Sequence, residues 1–329
     1  MVESTAAEST SQAPDGRTAE LAVVLATDSD ATIRPVINRL RRQTVRDRVE
    51  VVLVAPAGAG VTRTLGALHE DFARVQLVEV DSIAPLAAAR AAGIRAATAP
   101  VVFVGETHTF PHPGWAEALI AAHRGPWAAV APAFGNANPK GALSWAGFLS
   151  DYGRWVDGLP AGEIGEVPLY NASYRRAILL ELGDRLEPAL AHGDELPVGM
   201  RARGHRVYFE PAARIDHANV ARPAAWLVER FAAGVLIASH RSRTWPLSRR
   251  LAYVAGAALI PAVLVWRVLP GVRVTARRHP LPAGTIAAIV AGAIVKAIGE
   301  LVGYAGGGTA SCEMRMHEYE VHKLAYVAP

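Results

Sequence analysis

The chain has 329 residues, of which 51% are hydrophobic and 19% are charged, and its formal net charge is +4. This composition indicates a folded protein with room for one large domain or two ordinary ones. The single cysteine, Cys312, excludes an intramolecular disulfide framework and is typical of a reducing compartment. Residues 1–20 are polar and contain no apolar segment, so we expect a disordered tail and not a secretory signal.

The basic residues are unevenly distributed along the chain. Arginine greatly outnumbers lysine, and much of the arginine lies in the last third of the sequence. Such clusters favour an anionic membrane surface or phosphate groups as partners. The sequence has neither a basic helix with groove-reading spacing nor interleaved aromatic residues, so no nucleic-acid partner is expected.

The first half of the chain alternates apolar runs with segments of helical character. Four runs have the length and composition of buried strands, and they lie at residues 21–26, 49–54, 75–80 and 101–104. The segments between them, at residues 33–43, 62–72 and 87–98, have helical spacing or strong helix formers. This alternation predicts an α/β fold with a mostly parallel sheet and helices on both of its faces.

Polar side chains follow the carboxyl ends of two of these strands. Thr27 and Asp28 come directly after the first strand, and Glu106 and His108 come after the fourth. Open α/β sheets bind ligands just beyond the carboxyl ends of their strands. A carboxylate and an imidazole are both possible metal ligands, so we expect chemistry at this edge of the sheet.

Several motifs of the chain together resemble family 2 glycosyltransferases of the GT-A type. The helix ARAAGIRAAT and the PHPGW turn resemble segments before and after the family's fourth strand, where Arg90, Gly93 and Trp115 match. Gln43 and Thr44 match a Q-T pair at the end of the family's first helix. The resemblance covers residues 21 to about 218 and implies a GT-A, Rossmann-like fold.

Both acidic motifs of the family are altered in this chain. The family usually has Asp-x-Asp after the fourth strand, where the second acid holds a divalent metal, and here the segment reads Glu106-Thr107-His108. The family's V-D-D-G-S segment after the second strand is replaced by residues 55–60, which contain no acid. That loop lacks the spacing of a phosphate-binding motif, and we interpret it as a turn.

Two later segments continue the resemblance. Residues 169–176 are similar to the family's G-N-x-A-x-R-R segment, and this places Tyr174 and Arg175 where the family contacts donor or acceptor. The run HGDEL is similar to an E-D motif and implies a catalytic base at Asp194, or at Glu195 one residue later. By itself, Asp194 is interpreted as a helix N-cap. A strand is expected at residues 207–211. After it, His217 fits the family's closing histidine, a metal or phosphate contact in some members, although a histidine at a strand end is more often structural.

The resemblance implies a glycosyltransferase that moves a sugar from a nucleotide-diphosphate sugar to a hydroxyl of a lipid-linked or polysaccharide acceptor, with inversion. A divalent cation, Mn²⁺ or Mg²⁺, would be held through Glu106 and through His108 or His217. The implied donor-binding residues are Thr27, Asp28, Arg90, Glu106, Tyr174 and Arg175. Because the acidic motifs are altered, a catalytically inactive GT-A domain that acts as a membrane-bound partner or scaffold remains the alternative. A nucleotidyltransferase is a weaker third candidate, since its basic, glycine-rich opening is absent after Ala26.

The composition changes after residue 222. We predict a GT-A domain at 21–222, an amphipathic basic linker helix at 223–250, hydrophobic helices at 251–304 and a tail at 305–329. The apolar runs at 251–266 and 280–304 are slightly short for a bilayer crossing, which needs about 20 apolar residues.

The loop between the two apolar runs carries four arginines. Two spanning helices would place this basic loop outside the cell, which is against the positive-inside rule. A tight membrane hairpin, helices lying in the interface of the cytoplasmic leaflet, and two buried helices of a soluble domain therefore all remain open. Trp245 and Trp266, beside basic clusters, favour the first two. We expect the protein at the cell membrane, with its catalytic domain on the cytoplasmic side.

Overall fold

The structure, a computed structural model, describes residues 17–191 and 195–328. The described strands are β1 (Leu21–Ala26), β2 (Val49–Pro56), β3 (Arg74–Val80), β4 (Val101–Val104), β5 (Thr109–Pro111), β6 (Ala129–Asn136), β7 (Gly162–Ile164), β8 (Ala172–Arg175) and β9 (Val207–His217). The first eight helices are α1 (Asp30–Leu40), α2 (Thr62–Gly66), α3 (Leu86–Ala96), α4 (Trp115–Ala122), α5 (Ala142–Tyr152), α6 (Arg176–Leu180), α7 (Leu186–Ala191) and α8 (Glu195–Ala202). They are followed by α9 (Pro223–Arg241), α10 (Leu247–Ala255), α11 (Ile260–Arg278), α12 (Thr285–Tyr304) and α13 (Thr309–Val321).

Contacts divide the chain into two compact units. The first comprises Met1–Pro132 and Ala161–Ala213, and the second comprises Ala133–Pro160 and Arg214–Pro329. This division differs from the predicted boundary after residue 222. Its physical reason is that α5 packs against α9, α11 and α12, so a segment from the middle of the chain belongs with the C-terminal helices.

The first unit is built on a sheet in which four neighbouring strands are parallel. β2 lies between β3 and β1, and β1 pairs on its other side with β4. β8 then pairs with β4 in the antiparallel direction, and β6 pairs with β8. All six residues of β1 are buried, as expected for a central strand. The predicted α/β fold is confirmed, and the sheet is mixed, because antiparallel strands extend the four parallel ones.

Helix α3 packs directly on β1 and β2. A Cβ atom built at Gly93 would lie 2.5 Å from Cγ1 of Val24 and 2.8 Å from Cγ2 of Val54. Any larger residue would therefore push the helix away from the sheet. Because Arg90 lies one turn earlier on the same helix, this close contact also determines how near the Arg90 side chain lies to the sheet.

Two elements differ in length from the sequence prediction. The helix predicted at 62–72 is only Thr62–Gly66, and the chain continues in turns in which the Leu68 amide donates to the Leu65 carbonyl. Glycine at position 66 is a weak helix former, which is consistent with this early end. The strand predicted at 207–211 extends to His217, so this predicted ligand is the last residue of β9.

The second unit is organised by close packing of α9 on α12. A Cβ atom at Gly299 would lie 2.1 Å from the Phe231 carbonyl oxygen, and one at Gly234 would lie 2.1 Å from the Lys296 carbonyl oxygen. The two helix backbones therefore touch at glycines. In the described chain, Ala257–Arg278 and Thr285–Tyr304 are long and apolar enough to cross a membrane.

An ion cluster around the buried side chain of Arg230 ties the C-terminal tail into the second unit. Arg230 of α9 donates two hydrogen bonds, of 2.8 and 2.7 Å, to the carboxylate of Asp151, and a third, of 3.0 Å, to Glu229. Nζ of Lys323, near the end of the chain, lies 4.0 Å from Glu229. The paired arginine–carboxylate geometry is the strong form of this interaction. The tail is therefore a structural part of this unit.

In the first unit, the buried carboxylate of Glu50 fixes the loop that leads into β4. Glu50 is fully buried in β2, and it accepts hydrogen bonds of 2.8 Å from each of the backbone amides of Thr98 and Ala99. The Thr98 hydroxyl and the Gln76 side-chain amide donate to the same carboxylate. These four hydrogen bonds are lost together if the carboxylate is removed.

We predict that Glu50→Ala lowers the free energy of unfolding by about 3 kcal/mol or more, because it leaves buried donors without an acceptor. Glu79→Ala, at an exposed position of the neighbouring strand β3, is the matched control and should change it by less than about 0.5 kcal/mol. Chemical denaturation of the three full-length chains measures the difference. Equal effects of the two substitutions would contradict the role assigned to Glu50.

Candidate functional site

Polar residues that the sequence places at the strand ends meet at one edge of the sheet. β1 and β4 are parallel neighbours, and the Gly105 amide, just after β4, donates to the Val24 carbonyl at 3.0 Å. Thr27 follows β1 and Glu106 follows β4, so both lie at the carboxyl edge of the sheet. This is the edge at which open α/β sheets bind ligands.

The Glu106 carboxylate is the centre of this edge. It is buried, as is His108, whose Nε2 lies 3.3 Å from Oε2 of Glu106. Nη2 of Arg90 lies 3.7 Å from Oε1, and the side-chain amide of Asn171 donates to Oε2. One carboxylate is therefore faced by a guanidinium, an imidazole and an amide.

Asn171 has a backbone conformation that holds its amide on Glu106. Its φ is 57°, a left-handed value that costs a non-glycine residue energy and that asparagine tolerates better than most. Its own N–H donates to the Val104 carbonyl at 2.7 Å, and the Thr109 hydroxyl donates to its Oδ1 at 2.9 Å. This second bond leaves the NH₂ group directed to Glu106. Sequence reasoning named the segment around Asn171 but missed the residue.

Arg90 lies against an aromatic ring as well as a carboxylate. It is buried on α3, and its guanidinium carbon lies 3.6 Å from the centre of the Tyr170 ring. A cation over an aromatic face is stabilised by the ring quadrupole. Arg90 was predicted as a donor-binding residue, whereas Tyr170 has no distinguishing signal in the sequence.

Thr27 and Asp28 begin the loop after β1. The Thr27 hydroxyl donates to the Ser29 carbonyl at 2.9 Å, and Oδ1 of Asp28 accepts from the Thr32 hydroxyl at 3.1 Å. Ser29 caps α1. These bonds stiffen the loop and leave Asp28 half-buried at the same edge as Glu106.

Tyr174 and Arg175 are not brought to Glu106. In the antiparallel register of β8 with β4, Arg175 pairs with Val101, at the opposite end of β4 from Glu106. Its guanidinium donates to three backbone carbonyl groups, those of Trp127, His123 and Gly125. This placement argues against a donor contact for Arg175, which instead fixes the turn between α4 and β6.

Tyr174 is fully buried beside this turn. Its hydroxyl donates to the Pro168 carbonyl at 2.8 Å, and burial raises its pKa well above the usual value for tyrosine. His123 packs nearby with a ring nitrogen 2.9 Å from the Ser173 hydroxyl, and burial, with the Arg175 charge, lowers its pKa to about 3. These features indicate structural positions.

The predicted base residues fall at the start of α8. Asp194 lies outside the described residues, and so does the side chain of Glu195, the first residue of α8. The sequence assignment of the base therefore remains a prediction.

His217 ends β9 and is described within the second unit. Its ring is buried, Nδ1 lies 2.9 Å from Oδ1 of Asn219, and the ring centre lies 4.5 Å from that of Tyr152. Its neighbours are polar, since Asn136 and Asn138 contact Asn219 in turn.

Comparisons with known proteins identify the fold. No family model and no curated protein matches the chain. Among solved structures, a mannosyltransferase, PcManGT from Pyrobaculum calidifontis in complex with GDP-Man and Mn²⁺, is similar, with 17% identity, 86% of this chain and 87% of that chain covered, and a TM-score of 0.51. TarS 1–349 of S. aureus in complex with UDP matches with 15% identity, 85% and 90% coverage and a TM-score of 0.45. GalNAc-T7 with UDP, GalNAc and Mn²⁺ matches with 15% identity, 62% and 44% coverage and a TM-score of 0.46.

The chain therefore has the GT-A fold that its sequence motifs resemble. The similarity to PcManGT extends over most of both chains, and the parallel strands β3, β2, β1 and β4 form the sheet expected of that fold. At this level of identity the comparison establishes the architecture, and the activity has to be argued from the residues of the chain itself.

Proposed function

We propose that the chain is a glycosyltransferase that moves a sugar from a nucleotide-diphosphate sugar to an acceptor hydroxyl. The observation that carries this proposal is the buried cluster of Glu106, His108, Arg90 and Asn171 at the carboxyl edge of a GT-A sheet. The similar mannosyltransferase is in complex with a nucleotide sugar and Mn²⁺, which supports the same ligand classes here.

Glu106 and His108 would hold a divalent cation, and the sequence also predicts His217 as a metal ligand. A carboxylate oxygen and an imidazole nitrogen 3.3 Å apart fit one shared ion, and the nitrogen ligand favours Mn²⁺ over Mg²⁺. A bound ion would supply positive charge against the leaving diphosphate. An arginine can pair with phosphate oxygens, so Arg90 would add a second positive charge at the same edge.

The remaining roles follow the sequence prediction. Thr27 and Asp28, in the stiff loop after β1, would contact the donor. Asp194, or Glu195, would take the proton of the acceptor hydroxyl as that oxygen attacks the anomeric carbon, which inverts the anomeric centre. A carboxylate at the start of α8 would also be favoured by the helix dipole. A lipid-linked or polysaccharide acceptor would fit a membrane location.

We predict that Glu106→Gln weakens Mn²⁺-dependent binding of a nucleotide sugar by about tenfold or more, because it removes a charged ligand. Titration of GDP-mannose, UDP-GlcNAc and related donors, with Mn²⁺ and with chelator, measures this effect. Glu181→Gln, an exposed acid after α6, is the control and should bind as the wild type does. Donor binding that changes neither with chelator nor with Glu106→Gln would contradict the metal role of Glu106. If the chain binds none of the donors, the inactive scaffold is favoured.

A second prediction concerns the base. Asp194→Asn should lower turnover by about 100-fold while donor binding stays close to wild type, because a general base acts in the chemical step. Measured turnover and donor affinity separate the two effects. If only Glu195→Gln lowers turnover, the role belongs to Glu195; if neither substitution does, the base assignment is wrong.

We also propose that the second unit lies on the membrane interface and does not cross the bilayer. Ile286, Val290, Ile294 and Ile298 form an exposed apolar stripe along α12, while glycines of the same helix pack on α9. In α11, Trp266 is 72% exposed. A helix that is packed on one face and apolar on the other suits an interfacial position.

Basic residues accompany this apolar surface. Arg243, Arg267, Arg273 and Arg277 are exposed in the same unit and would face anionic headgroups. Trp245, by contrast, packs on Tyr253 and Tyr304 and carries Arg249 on its ring, so it is part of the folded unit. This arrangement favours the cytoplasmic leaflet, where anionic lipids are concentrated.

We predict that Trp266→Ser combined with Leu259→Ser weakens binding of the full-length chain to anionic vesicles, because both side chains are exposed and apolar. Vesicle flotation measures this, with Val198→Ser, an exposed apolar residue of the first unit, as a control that should bind normally. Carbonate or high salt should release the wild type. If the protein stays on the membrane after both treatments, a spanning hairpin is indicated instead. If the full-length chain binds no vesicles, the apolar stripe does not serve as a membrane-binding surface.

A further inference from the structure

Asn219 contacts the predicted ligand His217 from two residues further along the chain. Oδ1 of Asn219 and Nδ1 of His217 are 2.9 Å apart, and both side chains are buried. The direction of this hydrogen bond depends on how the Asn219 amide is oriented. The amide oxygen would accept a hydrogen from Nδ1, whereas the NH₂ group would donate one to it.

The surroundings of Asn219 fix that orientation. Its amide nitrogen lies 2.9 Å from the His217 carbonyl oxygen and 3.0 Å from Oδ1 of Asn136. That Asn136 oxygen also accepts from the backbone amide of Asn138 and from the Ser144 hydroxyl, so it is an acceptor. An NH₂ group between two acceptors is satisfied, whereas an oxygen there would be repelled. Oδ1 of Asn219 therefore faces the His217 ring.

An amide oxygen can only accept a hydrogen bond, so Nδ1 of His217 carries the hydrogen. In the neutral ring, Nε2 then carries the lone pair, and a metal ion binds the nitrogen that has the lone pair. We propose that Asn219 is a positioning residue that holds His217 in the Nδ1–H tautomer and so makes Nε2 the nitrogen with which this histidine binds a divalent cation. This inference rests on the proposed function.

The contact is also rigid. The backbone amide of Asn219 donates to Oδ1 of Asn138 at 2.9 Å, and Nδ2 of Asn138 donates to the carbonyls of Asn219 and Val327 at 2.8 and 2.9 Å. On the other side, the ring of Tyr152 packs on the imidazole. Partners of this kind fix both the tautomer and the plane of a ligating histidine.

The tautomer can be read without any metal or substrate. In the full-length chain free of metal, ¹⁵N spectra of labelled histidine, assigned with His217→Gln, should show Nδ1–H and an unprotonated Nε2. Asn219→Asp keeps an acceptor beside Nδ1 and should keep this tautomer, although it should lower the melting temperature because its second oxygen replaces the NH₂ group that lies between two acceptors. Asn219→Leu removes the acceptor beside Nδ1 and should lose the tautomer. An Nε2–H ring in the wild type would overturn the inference.

Mn²⁺ binding, measured by electron paramagnetic resonance on the same chains, gives the second result. Asn219→Leu should weaken Mn²⁺ binding by about 10- to 100-fold, and Asn219→Asp should restore most of it. Asn138→Leu breaks the same network but leaves the oxygen beside His217, so it should lower the melting temperature without changing the tautomer. If Asn138→Leu alters the tautomer or Mn²⁺ affinity as much as Asn219→Leu does, the role of Asn219 is only structural and the inference fails.

The two results also separate this inference from the proposed function. A wild type that binds Mn²⁺ normally but has an Nε2–H ring overturns the inference alone. A wild type with Nδ1–H that binds no Mn²⁺ contradicts the metal site of the proposed function, and the ligand role of Nε2 falls with it.

Discussion

The arrangement at the carboxyl edge of the sheet depends on keeping the carboxylate of Glu106 in a buried position. A carboxylate removed from water is costly unless charges and hydrogen bonds replace its hydration. Arg90 faces one oxygen, and the amide of Asn171 donates to the other. His108 lies beside the second oxygen. Each of these groups comes from a different segment of the first unit, so the carboxylate links α3, the loop after β4 and the start of β8.

The small residues of the sequence explain how these groups reach one point. Gly93 lets α3 lie directly on Val24 and Val54. Because Arg90 lies one turn earlier on the same helix, its side chain comes close enough to the sheet to reach Glu106. In the second unit, Gly234 and Gly299 bring α9 and α12 into backbone contact, which leaves the opposite stripe of α12 for another surface. In both units, glycine therefore allows a helix to pack closely on its neighbour. In the first unit this packing positions the charge of Arg90, and in the second it leaves the apolar stripe of α12 exposed.

Much of the fold could be predicted because buried parallel strands are continuous apolar runs, as in Leu21–Ala26 and Val101–Val104. The carboxyl edge followed from topology, so Thr27, Asp28, Glu106 and His108 were placed correctly at strand ends. Other features depend on tertiary contacts. The antiparallel register of β8 puts Arg175 at the far end from Glu106, and the left-handed backbone of Asn171 aims its amide, and neither is encoded in local periodicity.

The central claim is that Glu106 binds the divalent cation that contacts the donor diphosphate. Crystals of the full-length chain grown with Mn²⁺ and a nucleoside diphosphate, measured at the manganese absorption edge, test it most directly. The account predicts an anomalous peak in coordination contact with a carboxylate oxygen of Glu106 and with the diphosphate. A bound diphosphate that contacts Arg90 with no manganese at Glu106, or manganese bound elsewhere, would contradict it.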